Sequence, residues 1–473
     1  MQRCVWWPVV FGCVGTLTLF AAARCSAADK GAADRPNIIL IVADDLGYGD
    51  LGCYGQMQVK TPRIDRLAAE GMRFTDFYAG STVCAPSRCV LMTGLHTGHA
   101  YIRGNGGLEL RPQDVTVARL LQKSGYATGV FGKWGLGHEN STGIPSKQGF
   151  DRFYGYLDHG HAHNFYPTFL FRDDSRVKLD NVVPNEGRTG QGVATVRRDY
   201  APDLTTREML AWLDEPRDRP FFLYWAPTIP HANNEAGKKG MEVPDLGEYA
   251  DRDWPEPQKA FAAMMTRLDR DVGQLVDRLQ EKGLAEKTIL LFSSDNGPHR
   301  EGGRNPDFTD SNGPFRGIKR DLYDGGIRVP LIAWGPGRVP KGATSGYVGS
   351  FADVLPTLCE LAGIEAPAVD GLSIRPTLLG QPGQKSHDYL YWEFYERGFD
   401  QAIRTDRFKG VRHGQTGSIE LYDLTSDPGE SKDIASQHPD VVQRITEAMN
   451  QAHTPSPDWP QQRPGNRLKK KAG

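Results

Sequence analysis

Two short pairs of oxygen donors stand far apart in the chain: Asp44 and Asp45 follow the apolar run "PNIILIVA", and Asp295 and Asn296 follow "TILLFSS". Carboxylates and an amide are hard ligands that suit Ca²⁺ or Mg²⁺, whereas zinc or iron would draw imidazole or thiolate, and neither occurs in these pairs. Taken singly, each pair reads as a turn. Matching chemistry at two strand ends reads as a cation site. A third cluster, "CAPSRCVLMTG" at 84–94, sets Cys84 just ahead of Pro86 and Arg88 in what reads as a helix start. A group there feels the positive end of the helix dipole and the guanidinium, which stabilise an anion. An isolated cysteine is more often a buried structural residue; the tight spacing to Pro86 and Arg88 argues otherwise.

These segments can act together only if their strands lie side by side with the carboxyl ends on one edge, where open α/β sheets bind ligands. The sequence supplies such strands. Ile38 to Val42 is continuously apolar and rich in β-branched residues, as a strand covered on both faces requires. Further strand-like runs are "YATGVFG", "PFFLYWA" and "TILLFSS", with helical patterns at "DVTVARLLQKSG" and "AFAAMMTRLDRDVGQLVDRLQEKG". "TPRIDRLAAEG" carries Thr61 as N-cap, Pro62 at the first helical position and Gly71 as the stop. The alternation predicts an α/β fold: a large mixed, mostly parallel sheet sandwiched by helices. Near residue 380 the texture changes to short strands and polar turns, which predicts a smaller C-terminal subdomain with an antiparallel sheet and a closing helix in "HPDVVQRITEAMNQAH".

The bulk numbers exclude one class. With 56 Lys and Arg against 58 Asp and Glu in 473 residues, there is no electrostatic footprint for nucleic acid. The first 27 residues read as a signal peptide: Arg3, a long apolar stretch, then Cys25, Ser26 and Ala27 as a cleavage site. A single membrane anchor is the competing reading, disfavoured by Pro8 and the small-residue exit. The protein is therefore expected to be exported, periplasmic or secreted, with no stable membrane anchor. Cys53, Cys84, Cys89 and Cys359 remain after the leader, enough for at most a bridge or two. The expected organisation is a catalytic domain at 34–380, the C-terminal subdomain at 381–455 and a basic, disordered tail at 456–473.

"CAPSRCVLMTG" resembles the signature of the type I sulfatases of the alkaline phosphatase superfamily, Cys-x-Pro-Ser-Arg followed by Thr-Gly. The resemblance runs in order through "PNIILIVADDLGYGDLGCYG", "GKWGLG", "SSDNG", "GIKRDLYDGGIRVP" and "LYDLTSDPGE", and covers nearly all of the mature chain. It implies that Cys84 is the precursor of formylglycine, made by a formylglycine-generating enzyme. It also implies that Asp44, Asp45, Asp295 and Asn296, with the modified Cys84, hold a divalent cation, usually Ca²⁺ and less often Mg²⁺. By the same resemblance Arg88 holds the formylglycine hydrate, Lys133 and Lys319 bind sulfate oxygens and His231 contacts the ester. The implied activity is hydrolysis of sulfate monoesters. Export, and the aromatic residues Trp134, Tyr154, Tyr156, Phe165 and Tyr166, point to a sulfated carbohydrate whose rings could stack on them.

One position departs from the family: Gly135 stands in "GKWGLG" where many members have histidine. His138, or His159, His161 and His163 of "DHGHAHN", are candidates to replace that base or to contact substrate. Two alternatives follow. One is a phosphomonoester or phosphonate hydrolase of the same superfamily, which shares the fold and can share the formylglycine, and in which phosphoryl transfer often uses two metals with additional His and Asp ligands. The other is a catalytically inactive glycan-binding homologue, motivated only by Gly135.

Overall fold

Asn37–Ala43 is buried at every position and forms the centre of a ten-stranded sheet. It pairs in parallel with Phe221–Ala226 on one side and Thr288–Ser294 on the other. Beyond Phe221–Ala226 come Ala127–Lys133 and Arg152–Tyr156, also parallel. Antiparallel strands follow on both sides: Leu331–Trp334 beyond Thr288–Ser294, with Met72–Phe74 and then Ala343–Ser345 outside it, and Phe169–Arg172 with Ser175–Lys178 beyond Arg152–Tyr156. The sheet is mixed and mostly parallel at its centre, as the alternation of strand and helix patterns predicts. This computed structural model describes residues 1–8 and 35–461. Residues 1–8 are exposed and without regular structure; most of the apolar stretch and the cleavage site of the expected signal peptide, and the basic end 462–473, lie outside the described residues. Among the described residues, no helix is long and apolar enough to cross a membrane.

The two faces of the central strand separate by the period of two that a pleated strand imposes. Ile39 and Ile41 join a core with Leu268, Val272 and Leu275 of the long helix Glu256–Glu281, while Ile38, Leu40 and Val42 join another with Cys89 to Met92 of the helix Cys84–Thr93. The sheet is thus covered on both faces. Helix Pro62–Glu70 begins as predicted, with Thr61 at its N-cap, although the Thr61 hydroxyl donates to Asp65 Oδ1 rather than capping an amide.

The chain ends in a four-stranded antiparallel sheet, Leu390–Phe394, Asp400–Arg404, Phe408–Arg412 and Ile419–Asp423. The helix Pro439–Ala452 covers it through Val441, Ile445 and Met449. A buried charge cluster ties this sheet to the main body: Lys409 Nζ lies 2.7 Å from Asp324 Oδ1 and 2.9 Å from Glu430 Oε1. Within the expected tail, Trp459 is buried and its indole N–H donates to Tyr101 O at 2.7 Å.

One expectation changes here. Trp134, Tyr154, Tyr156, Phe165 and Tyr166 are all at most 4% exposed and belong to the cores, so they have no free face for a sugar ring. Their nearness to the motifs is real along the chain, but on buried strands and their flanks aromatic residues pack inward. Cys53, Cys84, Cys89 and Cys359 are all free thiols.

Candidate active site

The parallel register between Asn37–Ala43 and Thr288–Ser294 pairs Ala43 with Ser294, so the residues that follow each strand emerge side by side. Asp45 N donates to Asp295 Oδ1 at 3.1 Å, and the Asn296 amide donates to Asp45 Oδ1 at 2.6 Å. Asp45 takes a left-handed backbone with φ of 63°, which its short polar side chain tolerates better than most. The four predicted oxygen donors therefore converge, and all four residues are fully buried.

Cys84 opens the helix Cys84–Thr93, and Gly94 ends it with φ of 72°. Val83 offers the helix no side-chain cap. Asn105 does so instead: its Oδ1 accepts from Ala85 N at 3.1 Å and lies 3.6 Å from Cys84 Sγ. Arg88 sits one turn further along the same face. Its Nε and Nη2 donate to Asp295 Oδ2 at 3.0 and 2.7 Å, and its Nη1 donates to Lys133 O and Tyr224 Oη. Arg88 thereby fixes the helix bearing Cys84 against the strand end bearing Asp295.

Lys133 is the last residue of its strand, and its Nζ lies 2.9 and 2.8 Å from the two Asp44 oxygens. Lys319 Nζ lies 2.7 Å from Asp45 Oδ2 and 3.1 Å from His231 Nε2. His231 Nδ1 donates to Ala232 O at 2.6 Å, which leaves Nε2 as the acceptor for the ammonium. The Lys319 backbone N donates to Pro298 O, holding its loop beside Asp295 and Asn296.

Burial dominates the electrostatics. It pushes the Cys84 thiol up, with Lys133 opposing but not reversing the shift, so residue 84 is a poor thiolate. Burial also pushes the Asp44 carboxyl up, but Lys133, His231, Arg88 and Lys319 together hold it below the ordinary carboxylate range. Asp295 is pushed up to about 7 by burial, against Arg88 and reinforced by Asp44. His231 is held well below its usual range by burial and by Lys319. Burial lowers Lys319 and Asp45 more than reverses it, leaving an ammonium.

The donors fit a hard divalent cation. Asn296 Oδ1 is buried and has no hydrogen-bond partner, an oxygen left over among three carboxylates. Asp44, Asp45 and Asp295 are balanced one for one by Arg88, Lys133 and Lys319, so a divalent ion would leave the site net positive toward an anionic ester. A second cluster, Asp45, His299 and Glu301, is less able to hold one. His299 Nε2 donates to Pro230 O and its Nδ1 accepts from Glu301 N, so no ring lone pair remains.

The loop histidines separate. His163 stacks on His231 with ring centres 4.9 Å apart and an 11° tilt, and His159 meets His163 edge-on at 6.3 Å. His161 turns away, its Nε2 donating to Phe169 O, and His138 Nε2 donates to Gly107 O. Gly135 has φ of 78°, and a Cβ there would stand 3.5 Å from Arg88 Cδ. Sequence reasoning missed Asn105, Tyr224 and His299. Only His299 carried a signal, its place three residues after Asn296.

The Sulfatase family model matches residues 36–364, and the model for the N-sulphoglucosamine sulphohydrolase C-terminal region matches 316–454. Arylsulfatase A of Homo sapiens is 34% identical, covering 89% of this chain and 88% of its own. N-acetylgalactosamine-6-sulfatase of Canis lupus familiaris is 32% identical, covering 92% and 88%. The structure of Ps i-CgsB in complex with k-i-k-neocarrahexaose superposes with a TM-score of 0.76 at 28% identity, covering 90% of this chain and 94% of that one.

Proposed function

The chain belongs to the sulfatase family and is a sulfuric ester hydrolase, and we propose that it is an exported enzyme acting on sulfate monoesters of carbohydrates through a formylglycine made from Cys84. The observation that carries this reading is the convergence of Cys84, through Arg88, on the buried group Asp44, Asp45, Asp295 and Asn296. The carbohydrate assignment draws support from the relatives, one named for N-acetylgalactosamine 6-sulfate and one solved with a neocarrahexaose. Formylglycine at residue 84 would supply an oxygen nucleophile that the buried thiol cannot. Ca²⁺ is the cation that Asp44, Asp45, Asp295 and Asn296 would hold, with Mg²⁺ second, and it would make that nucleophile more acidic and neutralise sulfate oxygens.

The chain's own residues account for the remaining steps. Lys133 and Lys319 present ammonium groups to the sulfate oxygens, and their burial strengthens the attraction. Arg88 holds residue 84 and Asp295 in register. When the bond to the alcohol breaks, negative charge builds on the bridging oxygen and a proton must reach it. Lys319 is the protonated member of the Lys319–His231 pair, so it donates that proton, and His231 Nε2 orients it. His163, packed flat on His231, keeps that ring in place.

The phosphatase reading is less well supported: phosphoryl transfer in this superfamily often uses a second metal, and His299 has no lone pair to give one. The test is sulfate release from N-acetylgalactosamine 6-sulfate by protein converted at residue 84, run beside matched aryl sulfate and aryl phosphate. Turnover of both sulfates with at least a hundredfold slower phosphate hydrolysis is expected. Aryl sulfate turnover with no activity on a panel of sulfated sugars would defeat the carbohydrate assignment.

A further inference from the structure

The loop 157–163 is a partition. On one side His163 stacks on His231 of the catalytic group, and His159 meets His163 edge-on. On the other side Leu157, Asp158 and His161 line a separate cavity of about 290 Å³. The two spaces are neighbours, because Leu157 O accepts from the N–H of Gly135, which lies against Arg88. Leu157 and Asp158 directly follow the strand Arg152–Tyr156, so the cavity lies at the same carboxyl edge of the sheet as the catalytic group, the arrangement a linear oligosaccharide needs if one unit is to react while the next is held.

The charges lining this cavity are mostly spoken for. Arg176 is paired with Glu139 and stacked 4.2 Å above the Phe169 ring. His138 donates to Gly107 O, and its Nδ1 lies 3.7 Å from Asp158. Arg188 is the exception: among the described residues it makes no hydrogen bond or ion pair, and it lines the same cavity beside Thr189. Polar atoms are also left over inside the wall. His161 is 1% exposed and donates from Nε2 to Phe169 O, while its Nδ1 has no partner. A volume near the lower bound of ligand pockets and one uncommitted guanidinium beside Thr189 describe a site for a sugar unit bearing an acid group.

We propose that this cavity is a second saccharide subsite, which receives the unit next to the one that loses sulfate and binds an anionic substituent on that unit through Arg188. The proposal rests on the carbohydrate-sulfatase reading above and deepens it to oligosaccharides with acidic neighbours. The anion is a carboxylate or a second sulfate, groups that a guanidinium grips by the same two-point geometry.

The test is calorimetric binding to the full chain carrying Cys84→Ser, which cannot turn substrate over, in the presence of calcium. The probes are N-acetylgalactosamine 6-sulfate alone and the same unit joined to a neutral hexose, a uronate or a sulfated hexose. At least one acidic disaccharide is expected to bind tenfold or more tightly than the monosaccharide and the neutral disaccharide, and whichever does so identifies the anion. Adding Arg188→Ala should abolish that advantage, and Arg188→Lys should restore part of it. Equal affinity for all four probes, or an advantage that survives Arg188→Ala, overturns the subsite. Sulfate release by the converted wild-type enzyme is read separately, so a failed subsite leaves the sulfatase reading standing, and a failed sulfatase assay does not decide the binding result.

Discussion

Lys319 Nζ lies 3.1 Å from His231 Nε2, and the same imidazole gives its Nδ1 proton to Ala232 O at 2.6 Å. The backbone carbonyl thus fixes the tautomer, and the pair has one ammonium and one acceptor. Under the proposed mechanism, that division of labour makes the leaving-group proton a lysine proton.

Lys319→Met should therefore lower kcat on a sugar sulfate by about 10²–10⁴-fold, the usual worth of general acid catalysis. Nitrophenyl sulfate should suffer less, because nitrophenolate departs without a proton. Steady-state rates on the two ester types check this; equal losses would assign Lys319 to sulfate binding alone.

Arg88→Ala should unfold more readily than it fails to bind substrate. Its side chain is wholly buried against Asp295, and removing one partner of a buried pair costs about 3–5 kcal/mol. Denaturant titration reads the loss. Calcium added to the wild-type protein should raise the melting temperature with concentration, since a ligand that binds only the folded state stabilises it. Chelation should remove sulfate release and leave the protein folded, because the carboxylates keep Arg88, Lys133 and Lys319 as partners.

Lys409→Met should destabilise by a similar amount, about 3–5 kcal/mol, because Asp324 and Glu430 then lose a shared buried ammonium. Asp324 lies five residues beyond Lys319. Activity should fall along with docking of the C-terminal sheet, and limited proteolysis near residue 409 should report the loosening.

His99 gives a pH signature. The hydrogen bond from its ring to Asp370, at 2.9 Å, raises it above the ordinary histidine value of 6.5 against partial burial. Its contribution to stability is complete below pH 6.5 and disappears as pH rises through the raised folded value. Melting temperature should decline over that interval, and His99→Gln should flatten the decline.

The central strands were legible because burial on both faces demands unbroken apolar runs, so Asn37–Ala43 and Thr288–Ser294 declare themselves and carry Asp44 and Asp295 with them. The two outermost strands on one side, Met72–Phe74 and Ala343–Ser345, are three residues each, too short to leave a period. Tyr224 could not be found from sequence, since its meeting with Arg88 joins positions 136 apart through the sheet. Asn105 is hidden for a similar reason: it caps a helix that begins 21 residues earlier. The aromatic residues near "GKWGLG" misled because nearness along the chain says nothing about which face of a strand a ring occupies. Trp134, for one, gives its indole proton to Gly143 O inside the core.

The most direct test is mass spectrometry of the peptide containing residue 84, on the same preparation whose sulfate release has been assayed, from cells that also make a formylglycine-generating enzyme. The account predicts an aldehyde in place of the Cys84 thiol and a rate proportional to the converted fraction. Full activity from protein in which residue 84 is entirely thiol would contradict it.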